Sequence, residues 1–311
     1  MKISLASPHT SPPAPSAMQQ HPSYGQAIAR LGATVQVATL SQDGAVAAQA
    51  QIILRRFGPF SVAWMPRGPV WAPSLPPDDK NNVLKTIMAS FGKSVQWLAT
   101  PETLPETELF RGHGFAALIT PQTLSEIDLT LSADQQLARQ HVKWRNRLRH
   151  AFKSSLDVRN TPFDSCRHKS LLAYEADQRR RRGYHALPPA FTIAWAQNTL
   201  HQTRLFIARK NSQIVAYMLI LLHWPVATYH IGYTGGEGRR LSAHNLLLWT
   251  ASKWLRENGY SRLDLGQVDT RNSPGLARFK IGSGAAVRAL GPGMLALPRL
   301  IYPRQSRHAA A

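Results

Sequence analysis

Hydrophobic residues recur along the chain with two alternating periods. Val35–Leu40 and Ala45–Leu54 are apolar segments on either side of Asp43-Gly44. Because Asp-Gly is a strong signal for a short hairpin, the two segments predict paired strands. Lys80–Phe91 has its apolar residues at helical spacing and is followed by a glycine, which predicts a helix that ends there. Segments of both kinds continue along the chain, so we expect a mixed α/β fold.

The other segments divide in the same way. The predicted strands are short apolar runs: Phe60–Met65, Val70–Trp71, Val95–Leu98, Ala116–Ile119, Thr123–Leu131, Arg204–Arg209, Ile214–Leu222, Val226–Tyr233 and Ser261–Val268. The predicted helices have apolar residues at helical spacing: Gln19–Leu31, Ala133–Lys153, Ser170–Arg182, Pro189–Gln202 and Ser242–Asn258. A further short element is expected to start at Phe279–Ile281. The longest apolar run, Ile214–Leu222, suits a buried strand, because a membrane-spanning helix needs about 20 residues.

The alternation of elements occurs in two similar halves, which predicts two α/β units. We expect the first unit at 21–132, a basic connecting helix at 133–153 and the second unit at 154–292. Residues 1–20 are rich in Pro and Ser and lack the apolar core of a signal peptide, so they predict a flexible lead. Residues 293–311 are expected to form a frayed tail.

The charge of the chain points to a polyanionic partner. Its 311 residues include 37 Lys and Arg against 17 Asp and Glu, a formal net charge of +20. Residues 1–150 carry +5 of this and residues 151–311 carry +15, so the partner is expected to meet the second half and the basic helix. Candidates are a nucleic acid, a phosphate-rich metabolite and an anionic membrane surface.

Cysteine and metal-ligand patterns narrow the chemistry. Cys166 is the one cysteine, which excludes an internal disulfide framework and a cysteine-based metal cage. The sequence has neither an H-E-x-x-H motif nor an acidic loop of EF-hand type, so no metal is expected. A reducing cytoplasm is the expected location.

Five pieces of the sequence, in their order and spacing, resemble one family. They are Gln19–Gly32, MPRGPVW at Met65–Trp71, KWRNRLRHA at Lys143–Ala151, the stretch Tyr229–Gly266 and RFKIGSG at Arg278–Gly284. Together they resemble the FemAB-like aminoacyltransferases over nearly the whole chain. The chain lacks the long paired-helix insertion that some members carry, which leaves the acceptor open.

The resemblance implies two tandem GNAT-like (acetyltransferase-like) domains with mixed central sheets, the second of them catalytic. It also implies transfer of an amino acid from aminoacyl-tRNA to an amino group of a peptidoglycan precursor or a similar amine. The implied partners are aminoacyl-tRNA and a diphosphate-bearing cell-wall precursor, without DNA. No resident cofactor is expected; aminoacyl-tRNA is the co-substrate and acyl-CoA the alternative donor. Peripheral contact with the inner face of an anionic membrane stays open.

Three residues are the catalytic candidates. A fixed cation beside the oxyanion that forms when an amine attacks an ester stabilises the transition state, and Lys280 is the candidate for it. The ring of Phe279 can stack on an adenine, and the family has a Phe-Lys pair at this place. Tyr233 is the third, because the two-residue period of a strand places Tyr229 and Tyr233 on one face. The alternative for each is ordinary packing or a surface position.

Acceptor and phosphate binding is assigned to Arg182, Tyr229 and Arg67. Adjacent guanidiniums bind a diphosphate bidentately, and the family places an arginine on the acceptor's diphosphate where Arg182 stands. Arg67 lies in a stiff loop between a proline and a glycine, for which a structural use is the alternative.

RNA binding is assigned to two basic segments. Lys143, Arg145 and Arg149 lie on the basic helix and can contact phosphates, or else form a solvated face. Arg239 and Arg240 end a Gly-rich segment whose order departs from the pyrophosphate loop of acyl-CoA enzymes with this fold, which counts against CoA.

The general base and the overall activity keep alternatives. Asp264 and Asp269 flank Gly266, and either carboxylate can accept a proton from an attacking amine, so the base is not assigned. One alternative activity is an acyl-CoA-dependent N-acyltransferase on the same fold. The other is a non-catalytic protein that binds RNA or a membrane surface.

Overall fold

The computed structural model describes residues 2–92, 94–183, 186–198 and 201–297. These residues form the strands β1 Lys2–Ala6, β2 Thr34–Gln42, β3 Ala45–Phe57, β4 Phe60–Pro66, β5 Val70–Trp71, β6 Val95–Thr100, β7 Ala116–Ile119, β8 Thr123–Asp128, β9 Asp157–Thr161, β10 Thr203–Lys210, β11 Gln213–His223, β12 Val226–Thr234, β13 Arg262–Gln267, β14 Ala286–Ala289 and β15 Gly293–Ala296. They also form the helices α1 Pro22–Arg30, α2 Asp79–Ser90, α3 Glu106–Gly112, α4 Ala133–Arg139, α5 Val142–Lys153, α6 Lys169–Arg182, α7 Pro189–Asn198, α8 Gly236–Arg240, α9 Ala243–Glu257 and α10 Pro274–Gly282. None of these helices is both long and apolar enough to span a bilayer.

The strands form two mixed sheets, as the predicted fold class requires. The first sheet has the order β1-β2-β3-β4-β6-β15-β7, with β5 paired to β3. The second has the order β14-β8-β13-β12-β11-β10-β9. Each sheet contains one parallel pair, β4 with β6 and β12 with β13, among the described strands. We call the first sheet with α1–α3 the first domain, and the second sheet with α4–α10 the second domain.

Two strands are exchanged between the domains. β8 comes early in the chain but lies between β14 and β13 of the second sheet. β15 comes from the opposite end of the described chain and lies between β6 and β7 of the first sheet. The sheets therefore do not follow the predicted boundaries at 132 and 154, and the predicted tail begins with a strand at Gly293–Ala296. The rest of that tail, from residue 298, lies outside the described residues.

The expectation of a flexible lead at 1–20 is wrong for the described residues. Lys2–Ala6 pairs antiparallel with β2 at the edge of the first sheet. Met18 is buried and packs with Tyr24 of α1. Backbone pairing therefore holds β1 at the edge of the first sheet, and burial of Met18 holds the end of the segment against α1.

The predicted basic helix is also wrong, since it is two helices. α4 ends before Gln140, whose backbone is extended, and α5 begins after His141. The His141 N–H donates to Gly282 O at 3.0 Å, and its ring Nδ1 accepts from the Lys143 N–H at 3.2 Å. The histidine therefore caps α5 and fixes it against the end of α10.

Packing joins the two domains. β11 is central in its sheet and buried along nearly its whole length, as its continuous apolar sequence requires. A separate apolar cluster connects Met18, Tyr24 and Ile53 of the first domain with Phe191 and Trp195 of α7. The domains thus share a buried apolar contact, in which α1 of the first domain packs against α7 of the second.

Candidate active site

The second sheet opens at one point between its two parallel strands. β12 and β13 pair only along Val226–Thr228 and Arg262–Asp264. Beyond this, β12 continues beside β11 and β13 continues beside β8. The carboxyl ends of parallel strands are where ligands of open α/β sheets bind. The opening between β12 and β13 is therefore the candidate site.

Lys280 lies at the β13 side of this opening. Its side chain is buried, with 5% exposed, and its Nζ donates to Gln267 O at 2.7 Å. A Cβ added at Gly266 would lie 3.8 Å from Nζ, and the φ of Gly266 is +75°, which favours glycine. Burial lowers the pKa of Lys280 to about 8, and the charge of Asp264 opposes that effect. At neutral pH the amine is thus mostly protonated and carries a positive charge.

Phe279 lies in an aromatic cluster beside Lys280. Its ring centroid is 6.1 Å from that of Trp144 and 5.2 Å from that of His244. The indole of Trp144 also donates to Phe279 O at 3.0 Å. The ring is partly buried and packs on the core of the second domain. This packing fixes α10 and hence the position of Lys280; stacking on a substrate base stays a prediction.

A tyrosine, a histidine and a threonine form a hydrogen-bonded chain on the β12 side. Tyr229 Oη lies 3.0 Å from His244 Nε2, and Thr234 Oγ1 lies 2.9 Å from His244 Nδ1. Burial lowers the pKa of His244 to about 4, so the imidazole is neutral at neutral pH and has one donor and one acceptor nitrogen. Sequence reasoning found Tyr229 but missed His244, which no motif marks.

The prediction that Tyr229 and Tyr233 share a face is wrong. Leu219 pairs with Ile231, but Ile220 pairs with Tyr229, so His230 is an extra residue in a bulge. The bulge reverses the alternation of β12. Tyr229 packs on the core beneath α9, whereas Tyr233 stacks on Tyr217 on the other face. The structure therefore does not bring Tyr233 next to Lys280 through any described contact.

Arg67 reaches the site from the first domain. Its Nη1 donates to Asp264 Oδ2 at 2.8 Å, and its Nε and Nη2 donate to Glu102 at 2.8 and 2.9 Å. The second Asp264 oxygen accepts from the Gly266 N–H at 2.7 Å. Burial acts to raise the pKa of Asp264, but the guanidinium and this N–H hold it below its ordinary value. These contacts support the structural reading of Arg67; phosphate binding stays a prediction.

The ion pairs continue on the far side of Glu102. Arg288 of β14 contacts Glu102 and also donates from Nε to Glu126 at 2.8 Å. The sequence signals none of these pairs, because the partners are far apart in the chain. A cluster of carboxylates and guanidiniums, buried at Arg67 and Asp264 and partly buried elsewhere, thus joins the domains beside the opening.

The predicted RNA-binding residues lie on α5 and α8. Lys143 and Arg149 are exposed on α5, while Arg145 is half-buried and donates to Leu137 O at 3.3 Å. Arg239 and Arg240 are exposed on α8. His150 Nε2 lies 3.1 Å from Arg240 O, so the end of α5 meets α8.

The remaining predicted arginine lies at the end of α6. The side chain of Arg182 lies outside the described residues. Its neighbours in the basic run are engaged within the chain. Arg179 Nη1 donates to Leu187 O at 3.1 Å, and Arg181 pairs with Asp177.

The Gly-rich segment after β12 folds as the short helix α8. The Arg239 N–H donates to Gly235 O and the Leu241 N–H donates to Glu237 O, both at 3.0 Å. A Cβ at Gly238 would clash with the carbonyl of Val215, so α8 lies directly on β11. The Gly-rich segment is thus helical and packed against the second sheet.

The comparisons with known proteins agree with this architecture. Residues 138–280 match the model of the acetyltransferase (GNAT) domain, and the match ends at Lys280. The fold is similar to that of FemX, with a TM-score of 0.77 and 14% identity over 91% of this chain and 93% of that one. No curated protein sequence matches the chain at a significant level.

Two further solved structures share the fold. L-PGS from Bacillus licheniformis has a TM-score of 0.56 and 14% identity over 94% of this chain and 95% of that one. A tandem GNAT protein from the clavulanic acid biosynthesis pathway has a TM-score of 0.54 and 11% identity over 96% and 99%. The chain has a tandem GNAT fold, its residues 138–280 match the GNAT-domain model, and at the level of the fold its resemblance to the FemAB-like proteins is confirmed.

Proposed function

We propose that the chain transfers an amino acid from aminoacyl-tRNA to an amino group of a peptidoglycan precursor or a similar amine. The observation that carries this proposal is the buried ammonium of Lys280 at the opening of the second sheet, inside the matched GNAT domain. A cation fixed by a backbone carbonyl and removed from solvent is suited to stabilise an oxyanion, because its charge is little screened there.

The proposed reaction is a direct attack. The neutral amine of the acceptor adds to the carbonyl carbon of the aminoacyl ester, and the carbonyl oxygen becomes an oxyanion beside Lys280 Nζ. The intermediate collapses when the bond from carbon to the tRNA ribose oxygen breaks; the nitrogen loses a proton and the ribose oxygen gains one, so the products are an amide and a tRNA with a free ribose hydroxyl. Asp264 is held in an ion pair with Arg67, which argues against it as the base. We leave the base unassigned.

The surface of the second domain supports a tRNA donor. Residues 151–311 hold most of the net charge, and Lys143 and Arg149 of α5 and Arg239 of α8 are exposed. Such residues bind a phosphate backbone without reading its sequence. The likeness to FemX supports a cell-wall precursor as the acceptor class.

An acyl-CoA donor is the second candidate. The matched model describes an acetyltransferase domain, which favours it. The order of the Gly-rich segment before α9 disfavours it, because it departs from the pyrophosphate loop of acyl-CoA enzymes with this fold. The two donors differ in one simple respect, since only one of them contains RNA.

The test is transfer of label from a pool of radiolabelled aminoacyl-tRNAs to a muropeptide precursor, with and without RNase pretreatment. We expect transfer that RNase abolishes, and splitting the pool then names the amino acid. Absence of transfer, together with thermal stabilisation by CoA and acetylation of the precursor from acetyl-CoA, overturns the proposal in favour of the second candidate. Absence of transfer from either donor favours the non-catalytic alternative.

A further inference from the structure

Resting on the proposed function, we infer that Arg67 of the first domain is a positioning residue for Lys280 of the second. It acts through Asp264 and through the turn at Gly266 and Gln267. The orientation of the ammonium thereby depends on a contact between the two domains.

The first link crosses between the domains. Arg67 is 8% exposed and Asp264 is 3% exposed, and they form a buried ion pair. The other guanidinium nitrogens contact Glu102, which follows β6. The φ of Arg67 is +53°, a conformation that side-chain-bearing residues adopt rarely and that its partners must maintain. The guanidinium is therefore fixed at both ends, and it fixes the carboxylate in turn.

The second link lies inside β13. The register of β13 against β8 shifts between Asp264 and Gly266. The Asp264 oxygen that does not contact Arg67 accepts a hydrogen bond from the Gly266 N–H at 2.7 Å. The positive φ of Gly266 turns the chain there. The next carbonyl, Gln267 O, is the one that accepts from Lys280 Nζ. The orientation of this acceptor thus depends on a carboxylate held from the first domain.

The third link is electrostatic. The charged groups packed around this point are Asp264 and Arg262 of β13, Arg67 after β4, Glu102 after β6, Glu126 of β8 and Arg288 of β14. His223 of β11 is neutral at neutral pH, because burial lowers its pKa. Without the Arg67 charge, the carboxylate of Asp264 pulls more strongly on Lys280. The ammonium then moves off Gln267 O, and its pKa rises.

The test is a titration of Lys280 followed by the ¹³Cε shift of its side chain, assigned by its loss in Lys280→Arg. In Arg67→Met we expect a Lys280 pKa above the wild-type value and a kcat reduced by up to about 10²-fold at little change in KM. In Asp264→Asn we expect the opposite shift, a lower Lys280 pKa, because the carboxylate that favours the ammonium is gone. The two opposite signs distinguish coupling of Lys280 to this ion pair from general loosening, which would expose the ammonium and raise its pKa in both variants, and the loss of kcat at little change in KM reports the positioning.

Arg288→Met is the matched control. This variant removes an arginine of the same cluster. Arg288 contacts Glu102 and Glu126, and no contact with Asp264 is among those described. We expect it to lower the melting temperature and to leave the Lys280 pKa at its wild-type value. An unchanged Lys280 pKa in both Arg67→Met and Asp264→Asn, or an equal shift in Arg288→Met, overturns the inference. The titration needs no substrate, so it reads out separately from a wild type that transfers nothing.

Discussion

The two domains have the same parallel pair of strands and use it differently. In the first sheet, β4 and β6 stay paired from Ser61 and Val95 to their carboxyl ends at Pro66 and Thr100. In the second sheet, β12 and β13 separate after three paired residues. A closed pair leaves no room for a ligand between its strands, whereas a separated pair exposes backbone and side chains at the core. The fold is thus duplicated, and the opening is found in one copy.

The side chains at the two ends follow this difference. At the closed end, Arg67 contributes its charge to the neighbouring domain. At the open end, Lys280 and the pair of Tyr229 and His244 border the space between the strands. The first domain therefore serves the site by supporting it, and the second contains the proposed chemistry.

The largest expected effect comes from removing the cation at the open end. Lys280→Met should reduce kcat for aminoacyl transfer by about 10²- to 10³-fold, as the loss of one oxyanion donor does. Single-turnover transfer rates measure it. Lys210→Met is the control, because Lys210 also donates to a backbone carbonyl, Ser154 O at 2.8 Å, but lies in β10. A control that is as slow as Lys280→Met contradicts the assignment.

Filling the open end should destabilise the protein where filling the first domain does not. A Cβ at Gly232 would clash with Tyr229 Oη and lie 2.7 Å from His244 Nε2. Gly232→Ala should thus cost about 1–3 kcal/mol of the free energy of unfolding. A Cβ at Gly112 in α3 meets nothing within 4 Å, so Gly112→Ala should be neutral or stabilising. Thermal unfolding decides, and equal melting temperatures for the two variants speak against a packed Tyr229–His244 pair.

The charged surface offers a similar contrast between domains. The double variant Lys143→Glu and Arg149→Glu should raise KM for aminoacyl-tRNA and reduce the slope of log affinity against log salt by roughly two. Arg55→Glu with Arg56→Glu changes two exposed arginines of β3 and should leave that slope nearly unchanged. Filter binding across a salt series measures both. An equal reduction of the salt slope in the two double variants would show that RNA affinity depends on the overall charge of the protein and not on a contact with α5.

The smallest effect should come from one hydroxyl at the opening. Tyr229→Phe removes the contact to His244 Nε2 and should cost about 0.5–1.5 kcal/mol of stability. Denaturant titration measures this cost. The variant Tyr233→Phe provides the comparison, because Tyr233 lies on the other face of β12 and has no contact with His244 among those described. A larger cost for Tyr233→Phe would contradict the proposed importance of the Tyr229–His244 contact.

Local patterns predicted most of the secondary structure. The hairpin around Asp43-Gly44 is confirmed, since β2 and β3 pair across it and both turn residues have positive φ. The helix predicted at Lys80–Phe91 is confirmed as α2. These elements are specified by neighbouring residues, so periodicity and turn chemistry suffice to find them.

Features that depend on distant partners were not predicted. The exchange of β8 and β15 depends on which strands each of them pairs with, and nothing in their short sequences indicates those partners. The bulge at His230 and the break before His141 also arise from tertiary contacts, because β11 and Gly282 fix them. The bulge reverses the two-residue alternation of β12, and the break interrupts the helical spacing of 133–153. From the sequence alone, both patterns look continuous.

The candidate site divides along the same line. Lys280 was predicted because RFKIGSG resembles a segment of the family. The spacing of residues alone does not indicate that a lysine after a phenylalanine is catalytic. His244 and the pairing of Arg67 with Asp264 were missed. The last two residues are 197 positions apart, and only the docking of the domains brings them together.

The most direct test of the central claim is the pH dependence of kcat/KM for aminoacyl transfer, which reports the groups of the free enzyme, in the wild type and in Lys280→Arg. The Lys280 ammonium has a pKa of about 8, so the wild-type rate should fall as the pH rises through that value and the cation loses its proton. Arginine keeps its charge there, so the residual rate of the variant should show no such fall. A fall at the same pH in both proteins would show that another group titrates and that Lys280 is not the cation of the reaction.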